Sequence, residues 1–368
     1  MVKNIQYLLA LHSIDGLGSV RLKKLLDHFL DPKLAWESPG KELRWLGMPQ
    51  ASIDILLETR KKLDPNQYLE EVQKSGIKFI TFFDENYPKL LKQIYDPPII
   101  LYYKGEILPE EKAIGIVGTR KMTGYGKAVT EQFATYLSNA GLTIVSGLAQ
   151  GVDTEAHRTA LAAGGRTLAI LAGGLHAGPQ VLKGIFPPQN IRLAEEISDG
   201  RGAIMTEFPP DYPSLAGNFP ARNRIISGLS LAILVTEAAE DSGSLITGRL
   251  ALEQGRDVFA IPGPITSTLS KGPVSLIREG ARIVMEPSEI LEELGINGSL
   301  DPVRKQVATN DLSEIEKKIL EFLENDSQQI DDICRTLNLG AAEVSGSLLK
   351  MEIAGLVRNL GGGTYSAG

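Results

Sequence analysis

Gly115 to Lys127 reads GIVGTRKMTGYGK, and the reading of this stretch decides the fold. It follows an apolar run that ends in Ala113-Ile114 and leads into a helical pattern, Ala128 to Ala140. A strand feeding a glycine-rich turn and then a helix is how α/β proteins hold phosphate. Glycines let backbone N–H groups approach an anion, and the helix N-terminus adds partial positive charge. Arg120, Lys121 and Lys127 place three cations in the window with no acid among them. The dinucleotide fingerprint GxGxxG does not fit, because Gly115 and Gly118 stand three apart. The P-loop does not fit either, because Gly126-Lys127 is followed by Ala128 and not by Ser or Thr. Two readings remain: a phosphate site for an anion larger than one nucleotide, or a tight turn whose cations face solvent.

Outward from this turn, strands and helices alternate from Ile114 to about Val284. AIGIV, LTIVSG, RTLAILAGG, GAIMTEF, LAILVTEA, DVFAIPG and ARIV read as strands, and helical segments separate all but the last two. That pattern predicts an α/β fold, an extended Rossmann-like, doubly wound and mainly parallel sheet over residues 73–296. Ligands of such sheets lie beyond the carboxyl ends of the strands, where the polar motifs of this chain also fall. Two further strand candidates, IKFITFF and IILYY, precede the alternation. Residues 1–72 read as short helices forming an N-terminal domain. Within it, HSIDGLGSVRLKKLLDHF (12–29) joins two helical patterns through Gly16-Leu17-Gly18. This is either a helix-hairpin-helix whose turn amides face a phosphate, with Arg21, Lys23 and Lys24 on the second helix, or a plain helical hairpin. Residues 297–310 read as a linker. Residues 311–368, three helical patterns and the glycine-centred hairpin VRNLGGGTYSAG, read as a winged helix.

The chain has 368 residues, a net charge of −7 and 43% hydrophobic residues, enough for two or three domains with a sizeable core. Charge is uneven. Residues 1–72 are neutral, 73–307 carry 23 basic and 25 acidic groups, and 308–368 carry five and ten. A polyanion partner would therefore have to be held by a concentrated pocket. Cys334 is the only cysteine, and His12, His28, His157 and His176 are scattered, so neither a disulfide framework nor a metal site is expected. No apolar run is long enough to span a bilayer and no signal peptide is evident, so a cytoplasmic address without membrane contact is expected.

Further motifs sit at the other strand ends. SGLAQGVDTEAH (146–157) offers a turn through Ser146 and Gly147, with Asp153 placed to cap the next helix and His157 read as a packing residue. NFPARNRIISGLS (218–230) carries Arg222 and Arg224 around Asn223, with Phe219 nearby. Guanidinium groups suit bidentate phosphate contacts and an aromatic ring can stack on a base; the alternative is surface arginines beside a helix start. Ser242, Gly243 and Ser244 gather hydroxyls and backbone donors at another helix start. No metal-binding Walker pair and no Ser–His–Asp or Cys–His pattern accompanies these donors, which points to binding without catalysis and without a cofactor.

At these residues the chain resembles the bacterial DNA-processing protein A family, also called DprA or Smf. FDENYPKLLKQIYDPPIILYYKG, GTRKMTGYG, SGLAQGVDTEAH, FPARNRIISGLS, SGSLITGRLALEQGRDVFAIPG and LIREGA are similar to the family's signatures, in order and over nearly the whole length. The resemblance implies a Rossmann-like core that binds single-stranded DNA as a homodimer and loads RecA recombinase onto it, in natural transformation or related recombination. It implies that Gly118, Thr119 and Arg120 grip the DNA backbone, with Ser146 and Gly147 lining the same pocket. Phe219, Arg222, Asn223 and Arg224 would add cations and stacking, and Ser242, Gly243 and Ser244 would complete it. Lys121 joins this set as the neighbouring cation.

Two departures stand out. After Gly173-Gly174, the segment AGPQVLKGIFPPQN (177–190) reads as an insertion that places Phe186-Pro187 late. Val274 stands where the family commonly has asparagine, near the expected dimer contact. The C-terminal helix AAEVSGSLLKMEIAGL holds one lysine against two acids, which reads as a protein contact or dimer aid more than as a DNA reader.

The competing reading is an enzyme, a nucleoside-monophosphate phosphoribohydrolase of the lysine-decarboxylase-like class. Those proteins use a PGGxGTxxE turn, whereas SGSLITGRLALE lacks the paired glycines and sets Glu253 six residues after Thr247. A third reading, an SSB-like coating protein, lacks its aromatic-rich β-barrel pattern.

Overall fold

A computed structural model describes residues 3–178, 180–296, 312–323, 327–353 and 356–367. The linker expected at 297–310 lies outside the described residues. The chain divides into two units, Met1–Gly298 and Ser299–Gly368.

The first unit begins with six helices: α1 (Ile5–His12), α2 (Ser19–Phe29), α3 (Pro32–Glu37), α4 (Gly40–Trp45), α5 (Gln50–Thr59) and α6 (Pro65–Lys74). Asp31 and Asp64 cap α3 and α6, each followed by a proline at the first helical position. These helices share a core with the sheet that follows. Leu8, Leu11, Leu22 and Trp36 pack in one cluster with Ile100, Tyr102, Leu171 and Ile204. The buried His12 ring lies against Tyr102, with Nδ1 3.3 Å from the phenol oxygen.

The alternating segment comprises β1 (Lys78–Thr81), β2 (Ile100–Gly105), β3 (Ala113–Val117), α7 (Gly124–Asn139), β4 (Thr143–Ser146), α8 (Val152–Ala162), β5 (Thr167–Ile170), α9 (Ile191–Ser198), β6 (Gly202–Thr206), α10 (Asn218–Leu229), β7 (Ala232–Val235), α11 (Gly243–Glu253), β8 (Asp257–Ala260), α12 (Lys271–Arg278), β9 (Arg282–Ile283) and α13 (Pro287–Glu293). The nine strands form one sheet in the order β1-β2-β6-β5-β4-β3-β7-β8-β9. Every pairing from β6 across to β9 is parallel, and β2 pairs antiparallel with both β1 and β6. Strands β3 to β7 are buried along their whole length, as continuous apolar runs require when both faces are covered.

From β3 the chain winds outward through β4 and β5 to β6, then crosses back to β7 and winds the other way. The topological switch therefore lies between β3 and β7, and a ligand crevice is expected above their carboxyl ends. Because β1 runs parallel to β6 across the antiparallel β2, the carboxyl end of β1 opens on the same edge.

In the second unit, α14 (Glu314–Leu323), α15 (Ile330–Leu337) and α16 (Ala341–Ile353) pack with a three-stranded sheet ordered β10 (Gln328–Gln329), β12 (Thr364–Ala367), β11 (Val357–Gly361). Ile319, Leu323, Ile333, Val344, Leu348 and Met351 form its core. This is a winged helix. The lysine of α16, Lys350, faces Glu316 at 3.9 Å. Among the described residues, no helix is long and apolar enough to cross a membrane.

Candidate nucleic-acid interface

The turn after β3 is built by its neighbour β7. Glu237, buried just past the end of β7, accepts the Thr119 N–H on its backbone oxygen at 2.6 Å. Its carboxylate accepts the Thr123 N–H at 2.9 Å and the Thr123 hydroxyl at 2.7 Å. Thr123 in turn caps α7, accepting the Gly126 N–H at 3.1 Å. A side chain at Gly126 would overlap that carboxylate, which explains the glycine. The acid missing from the local sequence is thus supplied across the switch point, and an internal carboxylate holds the start of α7. Lys127 pairs with Glu131 at 3.5 Å. Arg120 and Lys121 are exposed and have no ion-pair partner among the described residues.

The turn after β4 is closed in the same way. Asp153 lies inside α8, one residue past its start, and accepts the N–H groups of Gly147 at 3.1 Å and Ala149 at 3.4 Å. It folds the turn back instead of capping the helix from outside. Burial raises its carboxyl pKa, against the opposing pull of Arg222 and the turn amides. The Ser146 hydroxyl donates to the Ile116 carbonyl at 2.6 Å. His157 is fully buried with Nδ1 2.6 Å from the Thr167 hydroxyl, and burial, with Arg222, lowers its pKa to about 3. It is a packing residue, as its sequence context implied.

Helix α10 turns two of the expected arginines toward protein partners. Arg222 is buried, and its Nη1 donates to the Gly147 carbonyl at 2.7 Å and to the Ile170 carbonyl. A side chain at Gly147 would strike the guanidinium, so this glycine makes room for the arginine. Burial lowers the Arg222 pKa to about 10. Arg224 makes a bidentate pair with Glu207 at 2.5 and 2.6 Å and reaches Asp96 at 2.9 Å. Burial alone would lower its pKa, but the two carboxylates more than reverse that. In this structure both guanidinium groups face protein partners and not an open phosphate position. Asn223 donates to the Gly243 carbonyl at 3.2 Å and so ties α10 to the start of α11. There Ser242 caps the helix, with its Oγ 2.8 Å from that of Ser244, and Gly243 is exposed.

What remains open to a ligand centres on Phe219, at the start of α10. The Arg120 guanidinium lies 5.5 Å from the centre of its ring. Phe186 meets the same ring edge-on at 5.8 Å. These three side chains, with Ala149, Gln150, Pro187, Pro188 and Gln189, line a cavity of about 230 Å³. An arginine stacked on an aromatic ring beside amide side chains suits a nucleobase and its phosphate. The segment around Phe186-Pro187 therefore has a definite place. Val181, Leu182 and Ile185 anchor it in the core, Asn190 donates to the Leu148 carbonyl at 2.9 Å, and Phe186 returns to the cavity, 51% exposed. Phe186, Gln150 and Gln189 are absent from the set expected from sequence; the late Phe186-Pro187 pair is the signal that points to them.

Glu253, the carboxylate on which the hydrolase reading turns, is the last residue of α11. The helix start faces the crevice, so Glu253 stands roughly 15 Å along the axis from it. The carboxylate that the hydrolase reading requires is therefore at the far end of the helix from the crevice.

Comparisons with known proteins agree with this architecture. Residues 78–295 match a family model described as DNA recombination-mediator protein A, and residues 303–363 match a DprA winged helix domain. Protein Smf of Synechocystis is 37% identical, covering 98% of each chain. The DNA processing protein DprA of Bacillus subtilis is 41% identical over 72% of this chain and 87% of its own. The X-ray structure of DprA from Streptococcus pneumoniae superposes with a TM-score of 0.68 at 34% identity, covering 79% of this chain and 98% of that one. A structure of DNA processing protein A from Helicobacter pylori, described for its single-stranded DNA binding mode, gives a TM-score of 0.52 at 30% identity, covering 60% and 97%.

Proposed function

This chain belongs to the DNA recombination-mediator protein A family, and from that premise we propose that it is a non-enzymatic binder of single-stranded DNA that protects incoming strands and loads RecA recombinase onto them. The observation that carries the reading is the exposed Arg120 stacked over Phe219, with Phe186 closing an open cavity at the carboxyl edge of the sheet. Bases stack on the two rings, and Arg120 with Lys121 holds the backbone. Gly118, Thr119, Ser146, Gly147 and the Ser242-Gly243-Ser244 turn shape the floor, while Asn223, Arg222 and Arg224 hold α10 in place beneath it. Binding through a small cationic cluster on an acidic chain implies strong salt dependence.

A homodimer forms across the β9 edge. That strand is two residues long; its Ile283 is 53% exposed, and Met285 just beyond it is 68% exposed. An unpaired edge with exposed apolar side chains invites pairing with a second copy.

The test is fluorescence anisotropy with matched single- and double-stranded oligonucleotides across a salt series, followed by RecA filament assembly. Tight, salt-sensitive binding that prefers single strands is expected. Weak binding to both would overturn the reading, and free base released from a nucleoside monophosphate would replace it with the hydrolase.

A further inference from the structure

A second group of cations and aromatic rings stands at the other end of the same sheet edge. The ammonium of Lys23, on α2, lies 5.3 Å from the centre of the Phe82 ring, and that of Lys92 lies 4.9 Å from the same centre. Phe82 directly follows β1 and is held edge-on by Phe83 and Tyr87, at 5.6 and 5.9 Å. Both lysines are exposed, and neither has an ion-pair partner among the described residues. Asp27 and Asp96 stand four residues beyond Lys23 and Lys92, but Asp96 is bound by Arg224 at 2.9 Å. Asp84, two residues past the ring, accepts the N–H and hydroxyl of Thr81 at 2.9 and 2.8 Å. Two like charges drawn to one ring, with no ion-pair partner among the described residues, are an arrangement that a phosphate beside the ring would balance.

This cluster is connected to the Phe219 cavity. Both lie at the carboxyl ends of their strands, with β2, β6, β5 and β4 between β1 and β3. Five inter-strand steps make roughly 24 Å. Midway, after β6, Phe208 and Tyr212 stack at 5.2 Å, and the Tyr212 hydroxyl donates to Asp15 on the helical block at 3.1 Å. Tyr95, 96% exposed, sits next to Asp96, the partner of Arg224 on α10. Aromatic surface thus recurs between the two cationic ends.

We propose that Lys23, Phe82 and Lys92 form a second contact point for single-stranded nucleic acid, where the helical N-terminal block and the β1 loop receive a strand that leaves the Phe219 cavity. The inference rests on the single-strand reading above. It gives the helical block a part in binding through side chains of α2, not through its Gly16–Gly18 turn, where the Leu17 N–H donates to the Ile14 carbonyl at 3.1 Å.

The test uses the full chain with Lys23→Gln and Lys92→Gln combined, and separately Phe82→Leu. Anisotropy is read with oligothymidylates about six and about 24 nucleotides long, spanning the site sizes of single-strand binders. Both variants should bind the short strand as the wild type does and lose about tenfold on the long one. For the lysine pair, the slope of log affinity against log salt on the long strand should fall by about 1.4, two phosphate contacts' worth. Wild-type-like binding of the long strand by both variants, with unchanged melting, would overturn the inference alone and leave the cluster to an acidic protein segment. A wild type that binds neither strand would overturn the single-strand reading and this inference together.

Discussion

Glu237 and Thr123 are 114 residues apart in sequence, yet the Glu237 carboxylate accepts both the backbone N–H and the hydroxyl of Thr123. The pair fastens the first strand of the parallel core to the strand across the switch point. Glu237→Ala should therefore destabilise the first unit by about 2–3 kcal/mol, the usual worth of hydrogen bonds to a buried charged group. Glu237→Gln, which keeps one acceptor, should cost less. Urea titration checks this, and an alanine variant as stable as the wild type would remove Glu237 as the fastening of the turn.

Phe219→Ala should weaken single-strand binding by about 1–3 kcal/mol, from the lost stacking platform. Arg120→Ala should weaken it as well and reduce the salt slope by about 0.7. Neither side chain is buried in the core, so thermal melting should hold. Unchanged affinity in both folded variants would move the binding site elsewhere.

Arg224→Ala should behave differently. It leaves Glu207, 13% exposed, without its bidentate partner, and breaking such a pair costs about 3 kcal/mol. The expected result is a lower urea midpoint, with affinity for single strands largely kept at temperatures where the variant is folded. A fully stable variant that has lost binding would show that Arg224 leaves its carboxylates for DNA.

His12 and His157 make stability depend on pH. Burial lowers their folded pKa values to about 4 and about 3, from an ordinary 6.5. Below about pH 6.5 the unfolded chain takes up the protons first, so their contribution is complete above that value and declines as pH falls toward the folded values. Near pH 4.5 each should have lost about 2–3 kcal/mol. The cost of His157→Gln, measured by urea midpoints, should accordingly shrink between about pH 7 and about pH 4.5. An equal cost at both would contradict the assignment.

Ile283→Glu should convert a dimer to a monomer at micromolar concentration, as read by sedimentation velocity. A monomeric wild type, or a dimer unaffected by the charge, would displace the interface from the β9 edge.

Much of this protein was legible along the chain. The alternating strands, the winged helix and the motif-bearing turns all show as local periodicity and local turn chemistry, which neighbouring residues dictate. Phe219 and Arg120, which the fold brings together beside one cavity, each stand in a short segment of distinctive composition. The divided roles of the arginines were not. Arg120, Arg222 and Arg224 are equivalent as cations in sequence. Only the fold puts Gly147 and Ile170 around the second, Glu207 and Asp96 around the third, and an open cavity beside the first.

The same division applies to the anion turns. Sequence by itself determined where backbone donors gather, because glycine and serine set turn geometry within a few residues. Tertiary structure alone decided which of those donors stay available, because Glu237 and Asp153 fill two turns from inside the protein. A buried donor takes whatever acceptor the packed chain brings within reach, and Glu237 comes from a strand that becomes a neighbour of Thr123 only once the sheet is assembled.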